Sequence, residues 1–279
     1  MPEMDQKKQN LLRVYTRMAI KESIVQNFCL NNLKPDELCG TIGYSYVKGV
    51  CTMIFDQFTP QMLDFLAENH IRNSKPWYEE HKELCRTLAI EPFYQLTELM
   101  APTMLEIDPQ LVVIPYKALS RVRRDNRFTK NKDLYRDHLW LTFRHPKKHL
   151  SDSLCYYFEV EQEGWGYGIG YYAIPSNIRE EYRQMILNHD IHYLAARKAL
   201  AETPDFTMYG DCYKRPPYPD APEEDQIWLN RKNIGVSFFS EDHTALFDGT
   251  FYDIMIDNIK RIAPFYYFLR TAEERVRRQ

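Results

Sequence analysis

Residues 153–174, SLCYYFEVEQEGWGYGIGYYAI, decide how the chain folds. From Cys155 to Val160 the side chains are dense in aromatic and β-branched types, which suit a pleated, half-buried strand. Glu161 to Gly164 then supplies polar and glycine residues that turn a chain. A second strand follows, in which Trp165, Tyr167, Ile169 and Tyr171 alternate with Gly164, Gly166, Gly168 and Gly170 at period two. The stretch predicts an antiparallel hairpin with its turn near residues 162–164. The glycines leave one strand face bare, which admits a ligand or, the favoured reading, a packed helix. They do not match the dinucleotide fingerprint G-x-G-x-x-G. Ile169 or Tyr171 stands where the last glycine belongs, and no helix follows directly.

Working outward, HLWLTFRH (138–145), LVVIPYKALSRV (111–122) and NIGVSFF (233–239) read as further strands. Helical signals flank them. Thr59-Pro60 is a helix start, and Asn73-Ser74 with Pro76 is another. Leu84, Leu88, Phe93, Leu96, Leu99 and Met100 keep a helical period across a break or kink at Pro92. Pro175 opens a helix running to about residue 201. The apolar stripe Tyr252, Met255, Ile256, Ile259, Ile262, Ala263 and Tyr266 marks a long amphipathic C-terminal helix, interrupted at Pro264. Helices before and after an antiparallel set of strands, without β-α-β alternation, give an α+β fold: a mostly antiparallel sheet packed with helices, in a single domain over 53–279. Residues 1–52 form an N-terminal extension, helix-compatible over 1–30 and rich in turn formers over 31–52. The codons of Lys48-Gly49-Val50 can read AAAGGAGTN, a bacterial ribosome-binding sequence ahead of Met53. Translation is therefore expected to begin at Met53.

The 279 residues can bury a large core, and 44% hydrophobic with 27% charged content is ordinary for a globular protein. The 20 Tyr are unusual; tyrosine buries area yet needs a hydrogen-bond partner, so many of them point to a core with wet edges or to a groove. No apolar run is long enough to span a bilayer, and MPEMDQKKQN lacks a signal-peptide layout, so no membrane partner and a cytoplasmic location are expected. Cys29, Cys39, Cys51, Cys85, Cys155 and Cys212 form no C-x-x-C pair and read as reduced thiols. A net charge of -3 argues against a general nucleic-acid binder.

One local stretch contradicts that balance. Arg121–His138, RVRRDNRFTKNKDLYRDH, gathers seven Arg or Lys against three Asp. If residues 121–127 are extended, Arg121, Arg123, Asp125 and Arg127 share one face and Arg124 takes the other. Guanidinium forks match phosphate and carboxylate oxygens, so the group reads as an anion clamp, with Lys130, Lys132 and Tyr135 closing over the ligand. The competing reading is a charge network in which the arginines pair with carboxylates from the helices and brace the fold. Lys214-Arg215-Pro216-Pro217 is a rigid cationic segment, either a presenter of charge or a surface connection. His189 and His192 stand at helical i, i+3, but no third ligand is apparent, so no metal site and no cofactor are assigned. No G-x-S-x-G elbow and no phosphate-binding loop is present, and no catalytic residue is assigned.

These residues resemble a known family, the conserved hypothetical proteins of domain of unknown function 2461, found in bacteria and fungi. The resemblance covers about residues 54–279. Phe58, Phe65, Leu66, Asn69, Asn73 and Trp77-Tyr78 follow its first pattern, with His70 and Tyr78 as departures. Arg121, Arg124, Asp125, Arg127, Phe128, Thr129, Lys130, Lys132 and Tyr135 follow R-x-x-R-D-x-R-F-[ST]-K-D-K-x-P-Y, with Asn131 and Leu134 as departures and Arg123 outside the pattern. Lys214, Arg215, Arg231 and Lys232 match a later one. The resemblance implies no activity, but it raises the standing of the cations. The expected ligand is an anionic small molecule, phosphorylated or carboxylated, held by Arg121, Arg124, Asp125, Arg127, Lys130, Lys132, Tyr135, Lys214 and Arg215. A non-catalytic interaction protein braced by the same charges is the alternative, and nucleic-acid binding is the less favoured one. Protein partners and the question of catalysis stay open on the sequence.

Overall fold

A computed structural model describes residues 44–47, 50–53, 58–127, 130–146 and 151–278. The chain divides into two units, Met1–Asp56 and Gln57–Gln279. The described part of the first is an antiparallel hairpin of β1 (Tyr44–Val47) and β2 (Val50–Met53), where the sequence offered turn formers without a period. The helical reading of residues 1–30 lies outside the described residues.

The second unit is built on a five-stranded antiparallel sheet: β3 (Leu139–Arg144), β4 (Cys155–Glu161), β5 (Gly164–Gly170), β6 (Thr207–Tyr209) and β7 (Gly235–Ser240), in the order β3-β4-β5-β7-β6. The β4–β5 hairpin turns through Gln162 and Glu163, as the alternation requires, and its register sets Phe158 opposite Tyr167 and Val160 opposite Trp165. Those side chains, with Leu139, Leu141 and Phe143 of β3, make the buried face.

Helices flank the sheet along the chain, and some of them pack on it. They are α1 (Pro60–Arg72), α2 (Lys75–Glu80), α3 (Lys82–Cys85), α4 (Glu91–Ile107) and α5 (Pro115–Ala118) before β3. After β5 come α6 (Ser176–Leu187), α7 (Ile191–Ala201), α8 (Glu223–Leu229), α9 (Thr244–Asp248), α10 (Phe251–Arg261) and α11 (Ala263–Arg278). Phe58, Phe93, Phe158 and Phe251 form one aromatic cluster, with ring centroids 4.9 Å apart for Phe58–Phe93 and 5.5 Å for Phe158–Phe251. Tyr167 of β5 accepts a hydrogen bond from Asn258 of α10 at 2.9 Å, so its hydroxyl is satisfied inside the core.

The chain departs from the sequence expectation at Pro92, at Pro115 and at the glycines, while the interruption expected at Pro264 is present. Around Pro92 the helix is not broken. A π-helical turn, Arg86–Ile90, precedes α4, and Pro92 sits in the first turn of α4, where its missing N–H is tolerated. Residues 111–122 are no strand, because Pro115 cannot donate to a ladder and instead opens the short α5. At the C-terminus the break falls at Ile262, and Pro264 lies in the first turn of α11. The bare face of β5 is covered not by a helix but by rings from neighbouring strands. A Cβ at Gly166 would stand 3.3 Å from the Phe239 ring, one at Gly168 would stand 3.0 Å from the Tyr157 ring, and one at Gly170 would stand 2.5 Å from the Tyr209 hydroxyl.

Candidate anion site

β3 is a terminal strand of the sheet, and the segment after α5 is laid beside it. Leu119 bridges Leu141, Ser120 N–H donates to the Trp140 carbonyl at 2.9 Å, and the Thr142 hydroxyl donates to the Ala118 carbonyl at 3.4 Å. The basic stretch continues from this anchored segment and doubles back. Arg123 bridges Tyr135, Arg124 N–H donates to the Leu134 carbonyl at 2.8 Å, and Arg136 N–H donates to the Val122 carbonyl at 3.0 Å. Across the loop, Asn126 Nδ2 donates to the Lys132 carbonyl and Lys132 Nζ to the Asn126 carbonyl, both at 3.0 Å.

The loop's foot is held by the first helices. His70 Nδ1 lies 2.9 Å from the Tyr135 carbonyl, and Asn73 Oδ1 accepts the Leu134 N–H at 2.6 Å. The Tyr135 ring, 1% exposed, stacks on Tyr78 at 4.7 Å. The two patterns that carry the family resemblance, Asn69–Tyr78 and Arg121–Tyr135, are therefore in physical contact.

An open cleft of about 650 Å³ lies beside this loop. Arg121, Arg123, Arg124 and Arg127 line it from the loop, Lys117 from α5, Arg136 from the returning segment, and Trp140, Thr142 and Arg144 from β3. Asp125 is the single carboxylate among the described lining residues. Its oxygens accept from Arg127 Nε at 2.9 Å and Nη2 at 2.7 Å, a forked pair. Those hydrogen bonds draw its acidity down to a pKa of about 2. Arg124 stands 3.9 Å from Asp133. Both pairs form within the loop. Arg136 lies over the Trp140 ring at 4.6 Å and donates to the Arg121 carbonyl at 3.2 Å. Burial and the neighbouring Arg124 charge lower its pKa below the usual arginine value.

Of the residues the sequence put forward, Arg121, Arg124, Asp125 and Arg127 line one cleft. The expected division of faces does not hold: the chain bends at Val122 and turns at Arg127, so Arg124 shares the cleft with its neighbours. Lys130, Lys132 and Tyr135 are not among the lining residues. Lys132 is engaged across the loop and Tyr135 in the stack on Tyr78. Phe128 and Thr129 lie outside the described residues. Lys214 and Arg215 are exposed on the connection before α8 and are not among the lining residues. That connection is tied to Arg231 and Lys232 instead: Cys212 bridges Arg231, and Lys232 N–H donates to the Asp211 carbonyl at 2.7 Å.

Sequence reasoning missed Lys117, Arg136, Trp140 and Arg144 as lining residues and set Arg123 aside. Arg136 stood inside the quoted stretch, and Trp140 and Arg144 alternate along a strand that was foreseen. Their convergence depends on the antiparallel return, which periodicity does not reveal. His189 lies 3.2 Å from Asp225, while Asp190 caps α7 by accepting the His192 N–H at 2.9 Å. No cluster of three or more His, Cys, Asp or Glu suited to a metal occurs among the described residues. No described helix is long and apolar enough to cross a membrane.

With this geometry in place, comparison with known families identifies the chain's relatives. The model of the conserved hypothetical proteins of domain of unknown function 2461 matches residues 61–268, about three quarters of the chain. The chain belongs to this family. The match includes every residue lining the cleft. No curated protein matches the sequence.

Proposed function

We propose that the cleft beside β3 binds an anionic small molecule, phosphorylated or carboxylated. One observation carries this reading: among the described residues, seven cationic side chains line the cleft with a single carboxylate among them. Like charges brought together in one concavity repel, and a bound anion relieves the repulsion. The cleft's size falls in the ordinary range for small-molecule sites. In this reading Arg121 and Arg123 grip the ligand, Arg124 and Arg136 form the floor, and Asp125 holds the Arg127 fork in place.

The bracing alternative rests on the Arg127–Asp125 and Arg124–Asp133 pairs, but these form within the loop, and it is Tyr135 and Asn73 that tie the loop to α1 and α2, without using the guanidiniums. A thermal-shift comparison separates the two. Phosphate, sulfate, sugar phosphates and dicarboxylates are added to the parent, to Arg121→Ala and to Tyr135→Ala. Binding raises the midpoint of the parent by mass action, and Arg121→Ala loses that rise while melting near the parent without ligand. If Arg121→Ala melts well below the parent and no anion shifts either protein, the cations serve the fold and the reading fails.

A further inference from the structure

We infer that the ligand carries two or more phosphate groups, as in a diphosphate ester or a bisphosphate. This rests on the anion-site reading and narrows it. The lining charges do not all need a ligand. Arg127 is matched by Asp125, Arg124 stands near Asp133, and Arg144 donates to the His145 carbonyl at 3.3 Å. Among the described residues, Lys117, Arg121, Arg123 and Arg136 carry no ion pair, and all four line the same cleft. Arg136 is already half-buried against Trp140, so its charge is partly stripped of water.

Four cations that hold no ion pair among the described residues set the charge of the best-matched anion, although Arg121 also acts on Asp125 and Arg136 feels Asp137 and Glu159. A phosphate group carries about -1.5 to -2 at neutral pH, so two such groups balance four cations, and one balances only half. A carboxylate carries a single charge, so four would be required in the same space. Phosphate also presents several acceptor oxygens to the forked donors of Arg121 and Arg123. A stacked base is a poorer fit: among the described residues Trp140 is the single aromatic side chain lining the cleft, and Arg136 lies over its ring. The recognition is of charge and phosphate geometry, which favours a compact polyphosphorylated small molecule over a nucleic-acid strand.

Isothermal titration of the full chain at constant ionic strength tests this with orthophosphate, diphosphate, tripolyphosphate, citrate and a short single-stranded RNA. Diphosphate should bind at least about tenfold more tightly than orthophosphate or citrate, and Arg123→Ala and Lys117→Ala should reduce that ratio. Both positions are exposed, and each variant's melting without ligand checks its fold. Equal binding of orthophosphate and diphosphate, or preference for citrate, overturns this inference while leaving the anion site standing. Tightest binding by RNA, weakening steeply with salt, also overturns it, since counterion release marks a strand-binding surface. Heat from none of the five overturns the anion site itself.

Discussion

At the scale of single residues, Asp125 and Tyr135 belong to the same pattern and do different work. Asp125 is a surface carboxylate whose two oxygens are held by one guanidinium. Its folded pKa of about 2 lies below the value near 3.9 of an unconstrained aspartate. The interaction therefore stabilises the folded chain above the unfolded value and is lost as pH falls towards 2. An NMR titration of the side chain should show a midpoint near 2, returning towards the ordinary value in Arg127→Gln; an unshifted midpoint in the parent would contradict the fork. Tyr135 has left the solvent entirely and packs on Tyr78. Tyr135→Ala should cost roughly 3–5 kcal/mol in chemical denaturation, the usual range for removing a buried aromatic ring. Tyr135→Phe should cost under about 1.5 kcal/mol, since it preserves the stack. A severe loss in the phenylalanine variant would mean that the hydroxyl, not the ring, is what matters. The motif was legible as a unit, but the role of its last residue was not: aromatic identity alone does not say whether a ring faces a ligand or a helix.

At the scale of elements, the sequence revealed most where period and turn chemistry agreed. The 155–170 hairpin, β3 and the start of α1 follow from alternation, glycine placement and Thr59-Pro60. Proline was read as an interruption, and the helix is indeed interrupted beside Pro264, which lies in the first turn of α11, whereas at Pro92 a π-helical turn keeps the run continuous and the residue sits in the first turn of α4. β6 was missed because three residues, Thr207–Tyr209, give no period to detect. The glycines of β5 were seen, and their cover was not, because cross-strand neighbours depend on strand order. That cover can be tested. A methyl group at Gly166 would come within 2.6 Å of the Phe238 carbonyl oxygen and 3.3 Å of the Phe239 ring. Backbone cannot yield as a side-chain tip can, so Gly166→Ala should destabilise by roughly 1–3 kcal/mol in urea denaturation. Higher β-propensity of alanine would predict the opposite sign, and a stabilised variant would show that strand β5 shifts freely.

At the scale of the whole molecule, the α+β architecture was readable because helices and strands occur in separate blocks. The joints between blocks were not, since they are made of scattered polar residues. The main joint is Asp108, just after α4. One of its oxygens lies 2.6 Å from His145 Nε2 beyond β3, accepts the Tyr266 hydroxyl of α11 at 2.7 Å, and stands 3.7 Å from Arg270 Nε. Three separate parts of the chain thus meet at one carboxylate. Burial alone would raise its pKa, but the Tyr266, Gln110 and His145 hydrogen bonds outweigh burial and hold it below the ordinary value. Burial lowers the pKa of His145, opposed by its bond to Asp108 and aided by the nearby Arg270 charge. That lowering favours a neutral imidazole at neutral pH, and a proton on its Nε2 would be donated to Asp108. A histidine whose folded pKa is depressed binds its proton more readily when unfolded. Its contribution to stability is full above the unfolded value near 6.5 and is lost as pH falls through the folded one. Asp108 acts in the same direction at lower pH. The melting midpoint should consequently fall as pH is lowered from about 7.5 to about 5, and His145→Gln should flatten that dependence while keeping a donor near Asp108. Asp108→Ala leaves Arg270 with one fewer carboxylate and Tyr266 without its acceptor, and should cost roughly 3–5 kcal/mol at neutral pH. A pH profile unchanged by His145→Gln would place the titrating group elsewhere and remove this joint from the account of stability.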